Sequence, residues 1–104
     1  MFDKYIPLSE PSCYILQSIY SKPKHGYALV QDIKKMSGGT ITISNGTLYG
    51  ILKRMEMDQL IERRSSDDKK IYYITHLGKD ILHQEYKRIS KIIANFENIE
   101  FCKG

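Results

Sequence analysis

Residues Ser44 to Arg63 read SNGTLYGILKRMEMDQLIER, and the rest of the chain is arranged around this stretch. Leu48, Ile51, Leu52 and Met55 recur at i, i+3, i+4 and i+7, which is one face of an α-helix. Ser44 stands just before them, where a side-chain oxygen caps the free N–H groups of a first turn. The opposite face carries Asn45, Thr47, Tyr49, Gly50, Lys53 and Arg54, small polar groups first and then two cations. A helix with that outer face can put its N-terminal end into the DNA major groove, polar side chains toward base edges, a tyrosine hydroxyl and cations toward phosphates. Taken alone, the segment reads first as an ordinary amphipathic helix with a solvated polar face. Its neighbours decide.

Downstream, Leu60 to Arg64 reads as a strand, Ser65 to Lys69 as a polar turn, and Lys70 to Thr75 as a returning strand. Thr75 can cap a long last helix from about His76 to Asn98. Its stripe of Ile81, Leu82, Tyr86, Ile89, Ile92, Ile93 and Phe96 repeats at spacings of three and four. Upstream, Met1 to Glu10 is a short arm, and Ser9 with Pro11 marks a helix start. That helix spans about Pro11 to Tyr20, burying Ile15, Leu16 and Ile19, and SKPK breaks it. A second helix, about His25 to Ser37, buries Leu29, Ile33 and Met36 and ends at Gly38-Gly39, since glycine takes the left-handed conformation at a helix C-terminus without steric cost. Thr40-Ile41-Thr42-Ile43 alternates and is β-branched, the signature of a short strand. A hairpin directly after the third helix of a small helical domain is the winged helix-turn-helix order. The expected fold class is therefore mostly α with a small β-hairpin: a winged helix over about 5–75 and a C-terminal dimerisation helix over about 76–98, in one domain.

At 104 residues there is room for a single small core. The net charge of +4 allows a polyanion partner without demanding one, so a nucleic-acid reading rests on where the cations fall. Cys13 and Cys102 lie near opposite ends without a CxxC pair, as in a reducing cytosol. There is no signal-peptide core, and no apolar run approaches the roughly 18 residues that span a bilayer. The chain reads as soluble and cytoplasmic, with no membrane partner. His76 and His83 are seven residues apart, roughly 10.5 Å along a helix, too far to share a metal ion. No carboxylate or cysteine cluster supplies a metal site, no cofactor is implied, and nothing orders Ser, His and Asp into a catalytic set. An enzyme is not expected.

The segments Pro7-Leu8-Ser9-Glu10, Lys24-His25-Gly26-Tyr27, Gly46-Thr47-Leu48-Tyr49, Leu52-Lys53-Arg54-Met55-Glu56, Leu60-Ile61, Tyr72-Tyr73-Ile74-Thr75 and Leu77-Gly78-Lys79 occur in this order. Together, over about residues 5 to 85, they resemble the PadR family of bacterial transcriptional regulators, in its shorter branch with one C-terminal helix. The resemblance implies a winged helix-turn-helix that binds double-stranded DNA, a homodimer formed through the last helix, and repression relieved by a small molecule. That molecule is a phenolic acid or a toxic drug in well-known members, hence the expectation of a small aromatic effector. The family usually has glycine just before the Leu-Ile pair. Here Gln59 stands there, at a cost of roughly 1 kcal/mol if it must be left-handed. The absence of Trp rules out carrying over the tryptophan-lined drug pocket of some relatives.

The resemblance implies Tyr49 near the DNA backbone and Asn45 and Thr47 close to bases or phosphates; otherwise Thr47 only assists capping and Tyr49 packs on the second helix. Gly50 inside a helix costs roughly 1 kcal/mol relative to Ala, which suggests close approach of another backbone or of DNA. Lys53 and Arg54 become phosphate contacts in a winged helix. Arg63, Arg64, Lys69 and Lys70 bracket the wing tip, of which Arg64, Lys69 or Lys70 is expected to touch DNA backbone. Tyr27, at the start of the second helix, can donate to a phosphate, whereas His25 is expected to cap or to pack. The apolar stripe of the last helix exceeds what one small domain covers, so Leu82, Tyr86, Ile89, Ile93 and Phe96, with Tyr14 and Cys13 of the first helix, are expected at a dimer interface. Tyr14, Tyr86, Ile89 and Ile93 are candidates to line an effector pocket. The alternative is a winged-helix module for protein or RNA partners that binds no operator.

Overall fold

The structure, a computed structural model, describes residues 4–66 and 69–99. Its elements run α1 (Glu10–Ser21), β1 (Lys24–His25), α2 (Gly26–Met36), α3 (Asn45–Met57), β2 (Ile61–Ser66), β3 (Lys69–Ile74) and α4 (His76–Glu97). Local signals start three of the four helices. The Ser9, Ser44 and Thr75 side chains accept the N–H groups of Ser12, Thr47 and Gly78, respectively. His25 precedes α2 without a side-chain cap bond; its Nδ1 lies instead 3.3 Å from the Lys70 carbonyl oxygen.

The four helices close on one core of Ile15, Leu16, Ile19, Leu29, Ile33, Leu48, Leu52, Met55, Leu60, Ile61, Tyr72 and Ile81. The sheet has the order β1-β3-β2, antiparallel throughout. Ile61 pairs with Ile74 and Ser66 with Lys69, so the strands run further than expected and take in Ser65, Ser66 and Lys69 of the expected turn. The expected wing tip at Asp67 and Asp68, like Cys102, lies outside the described residues.

Two expectations about strands are corrected. Residues 40–43 form no strand, because β1 and β2 already occupy both edges of β3. Ile41 and Ile43 are half-buried and pack on the core, while Ser37 ties the loop by accepting the Ile41 N–H at 3.0 Å. The alternation of Thr and Ile thus reflects packing without pairing. The third strand is Lys24–His25, in the segment expected only to break a helix; Lys24 pairs with Tyr72 and His25 with Ile71.

Gln59 adopts φ 62°, the left-handed conformation that glycine would take without strain. Leu60 N–H donates to Met55 O at 2.9 Å and Gln59 N–H to Glu56 O at 3.0 Å, the two bonds of a Schellman helix end. The turn is therefore the expected one, with the strain accepted. Directly beyond it, Gly78 lies against the Leu60 carbonyl: a Cβ there would stand 2.2 Å from that oxygen. This contact seats the start of α4 on the end of α3.

Two polar clusters fasten the outer layers. Glu85, almost fully buried, accepts the Leu8 N–H at 2.8 Å and pairs with Arg88 at 2.7 Å, tying the N-terminal arm to α4. Lys24, Ser18 and Asp32 hydrogen-bond one another, joining α1, β1 and α2. The second half of α4 projects from the body, the whole molecule measuring 54 × 33 × 21 Å, and every residue from 91 to 99 is exposed.

Candidate nucleic-acid interface

Leu48, Leu52 and Met55 bury one side of α3, which turns Asn45, Gly46, Thr47, Tyr49, Gly50, Lys53 and Arg54 outward, all exposed. The Ser44 cap organises the leading turn. Ser44 Oγ accepts the Thr47 N–H and lies 3.1 Å from Thr47 Oγ1. Ser44 donates in that second contact, which leaves the Thr47 hydroxyl proton free, so capping and an outward contact are compatible. Lys53 has no carboxylate partner among the described residues, whereas Arg54 reaches Asp58 at 3.4 Å with most of its side chain in solvent.

Tyr49 packs on the second helix and keeps part of its surface in solvent. Its ring lies over Gly26 at the start of α2, so close that a Cβ on Gly26 would stand 2.8 Å from the hydroxyl oxygen, yet the side chain stays 46% exposed. The bare Gly26 backbone makes room for the ring. Next to it Tyr27 is 66% exposed and stacks on His25, with ring centroids 5.9 Å apart and planes at 11°. His25 in turn approaches the Lys70 carbonyl, so β1 links the α2 start to the wing. Among the described residues, a Cβ at Gly50 would meet no atom within 4 Å beyond its own helix backbone and chain neighbours. No other backbone among the described residues makes the expected close approach.

With this geometry the similarities can be read. The sequence pattern described as "Transcriptional regulator PadR-like family" matches residues 15–84. That span holds α3, the hairpin and most of the core. The chain belongs to the PadR-like family of transcriptional regulators. An uncharacterized protein from Lysinibacillus sphaericus is 32% identical over 90 residues, covering 79% of this chain and 83% of its own. A PadR family transcription regulator from Clostridium difficile superposes with a TM-score of 0.70 at 28% identity, over 85% of this chain and 98% of that one. A PadR-like transcriptional regulator from Bacillus cereus does so with 0.67 at 26% identity, over 94% and 100%. PadR family regulators are transcription factors that bind DNA, typically as dimers.

In this PadR-like chain the wing cations fall on two faces of the hairpin. Arg63 pairs with Tyr72 and Ser65 with Lys70, so Arg63 and Lys70 share the face turned toward the helices. Arg63 lies 3.7 Å from Glu56 and lines a groove of about 410 Å³ with Tyr49, Lys53 and Tyr72. Burial, only partly offset by the Arg63 charge, pushes the Tyr72 hydroxyl up, so it stays protonated. Arg63 was not among the wing cations expected to matter; only the strand register shows which way it turns. Arg64 and Lys69 occupy the other face. There Arg64 stacks over Tyr73, 4.2 Å from the ring centroid, and pairs with Glu62.

The apolar candidates on α4 divide. Ile81 is buried, Leu82 and Ile89 half-buried, and Tyr86, Ile92, Ile93 and Phe96 are 69%, 42%, 50% and 49% exposed. Between α1 and α4 runs an open groove of about 660 Å³ lined by Cys13, Tyr20, Leu82, Tyr86, Ile89 and Ile93, among others. Tyr14 and Phe96 are not part of it; Tyr14 donates to Glu10 at 2.6 Å instead. Burial, and then the Glu85 carboxylate, pushes the Cys13 thiol up, away from reactive thiolate chemistry. His76 faces Asp80 at 3.6 Å and His83 lies tilted against Tyr86. Among the described residues no group of three His, Cys, Asp or Glu is placed to hold a metal ion, and no helix is long and apolar enough to cross a membrane.

Proposed function

We propose that this PadR-like regulator is a homodimeric repressor that occludes a promoter by binding a palindromic operator. The supporting observation is the outward face of α3, a capped and exposed helix start with Lys53 unpaired among the described residues and with Tyr27, Tyr49 and Lys70 ranged beside it. Asn45 and Thr47 reach base edges. Tyr27, Tyr49, Lys53 and Arg54 hold phosphates, with Lys69, Lys70 and Arg64 at the flanks. Two α3 helices spaced roughly 34 Å apart then read successive major grooves. The dimer buries the exposed apolar face of α4, Tyr86, Ile92, Ile93 and Phe96, which a single domain leaves to water. Leu82, Tyr86, Ile89 and Ile93 line a groove wide enough for a small aromatic effector. Such a ligand relieves repression by binding better to the spacing that does not fit DNA, because only differential affinity shifts the equilibrium.

The test is fluorescence anisotropy against duplex DNA from upstream of its own gene, beside a scrambled duplex, over a salt series. Specific repression predicts tight binding to the upstream duplex alone, with log affinity falling steeply against log salt. Absence of binding to any duplex at low salt would sink the operator reading in favour of a protein- or RNA-binding module. An aromatic ligand that leaves operator affinity unchanged would remove the effector.

A further inference from the structure

The outward line of α3 runs through Gly46, Gly50, Lys53 and Met57, all exposed, and is flanked differently on its two sides. On the Tyr49 side stand α2 and the sheet, with Arg63 and Tyr72 across the groove. On the other side runs the N-terminal arm. Lys4 and Tyr5 share a cleft of about 460 Å³ with Thr47, Gly50, Arg54 and Asp58 of and just after α3.

We infer that Lys4 is a further DNA-contacting residue, gripping a phosphate on the side of α3 opposite the sheet and wing. Three observations carry it. First, the arm is held in place beside α3. The Leu8 N–H is bound to the buried Glu85 carboxylate, and Tyr5, Ile6 and Leu8 pack on the core, so the backbone of the arm loses little ordering entropy on binding. Second, the charge is available. Lys4 is exposed, its Nζ lies 5.5 Å from the Tyr5 ring centroid, and no carboxylate pairs with it among the described residues. The carboxylate that lines the same cleft, Asp58, is paired with Arg54. Third, Lys4 lines the same cleft as Gly50 and as Thr47, which is proposed to reach base edges, so the phosphates bordering that groove pass beside the arm. A cation here fixes register and orientation and reads no base.

The inference rests on the operator reading above, and the experiment separates the two. Lys4→Ala, Lys4→Arg and, as a control on α4, Lys87→Ala are compared with the unmodified full chain. The ligands are the upstream duplex and a scrambled one, each over a salt series. Lys4→Ala is expected to weaken both duplexes by the same factor, about threefold per protomer. The slope of log affinity against log salt should become shallower by about 0.9 per protomer. Lys4→Arg should keep most of the affinity and the slope, and Lys87→Ala should match the unmodified protein. If Lys4→Ala leaves affinity and slope unchanged while the unmodified protein binds, the Lys4 contact is overturned and the operator reading stands. If the unmodified protein binds no duplex, both are overturned.

Discussion

Gly50→Ala separates folding from DNA binding at one atom. Among the described residues the added methyl would meet nothing within 4 Å beyond its own helix backbone and chain neighbours, and the backbone of Gly50 is ordinary helix, so the folded state accommodates it without strain. Glycine in a helix interior is about 0.8–1.0 kcal/mol less favourable than alanine, so the variant should be more stable by about that amount. In a domain of this size that corresponds to a rise in Tm of roughly 4–8 °C, read at fixed protein concentration because a dimer couples stability to concentration. The same methyl points outward between Gly46 and Lys53, on the face of α3 proposed to meet DNA. It would hold the helix off the bases, and operator affinity should fall by roughly tenfold, or about 1.4 kcal/mol. Thermal unfolding and anisotropy on one preparation give both readings. Higher stability with undiminished operator affinity would refute a close approach of DNA at Gly50. Lower stability would show that the space around Gly50 is not open.

Gly78→Ala should do the reverse. Its Cβ would collide with the Leu60 backbone oxygen at 2.2 Å, and the helix-propensity gain offsets only part of that, leaving a net loss of about 2–3 kcal/mol in urea unfolding. Gln59→Gly should stabilise by about 1 kcal/mol, since it removes the left-handed strain at φ 62° and keeps both Schellman bonds; an unchanged urea midpoint would mean that the strain is relieved elsewhere. Burial pushes the Asp32 carboxyl up, but hydrogen bonds from Lys24 and Ser18 and the Lys24 charge outweigh it and hold the group below the usual carboxylate range. Because the folded pKa is depressed, this stabilisation is present above the unfolded value of about 3.9 and is lost as pH falls through the folded one. Asp32→Asn should therefore flatten the acid limb of a stability–pH curve, and an identical limb in the variant would contradict it.

Much of this protein was written locally. The Ser44 cap, the i, i+3, i+4, i+7 stripe of α3, the left-handed Gln59, the hairpin and the Thr75 cap of α4 each depend on residues within a few positions of one another. Short-range sterics and hydrogen bonding determine such features, so they can be read without knowing the fold. The ordered motifs from Pro7 to Lys79 likewise point to the PadR family without reference to the fold. What only the tertiary structure decided depends on partners distant in sequence. Lys24–His25 becomes a strand because β3 offers it an edge, and residues 40–43 do not because no edge is left. Glu85, which by its type belongs in water, is buried because the Leu8 N–H and Arg88 meet it there. Register turns Arg63 toward α3 and Arg64 away, a choice set by pairing across the hairpin. Lys4 lies in a cleft with Thr47 and Gly50 only because the arm folds back onto a helix more than forty residues later in the chain. Local propensity is a property of a segment, whereas edge, face and cleft are properties of the packed whole.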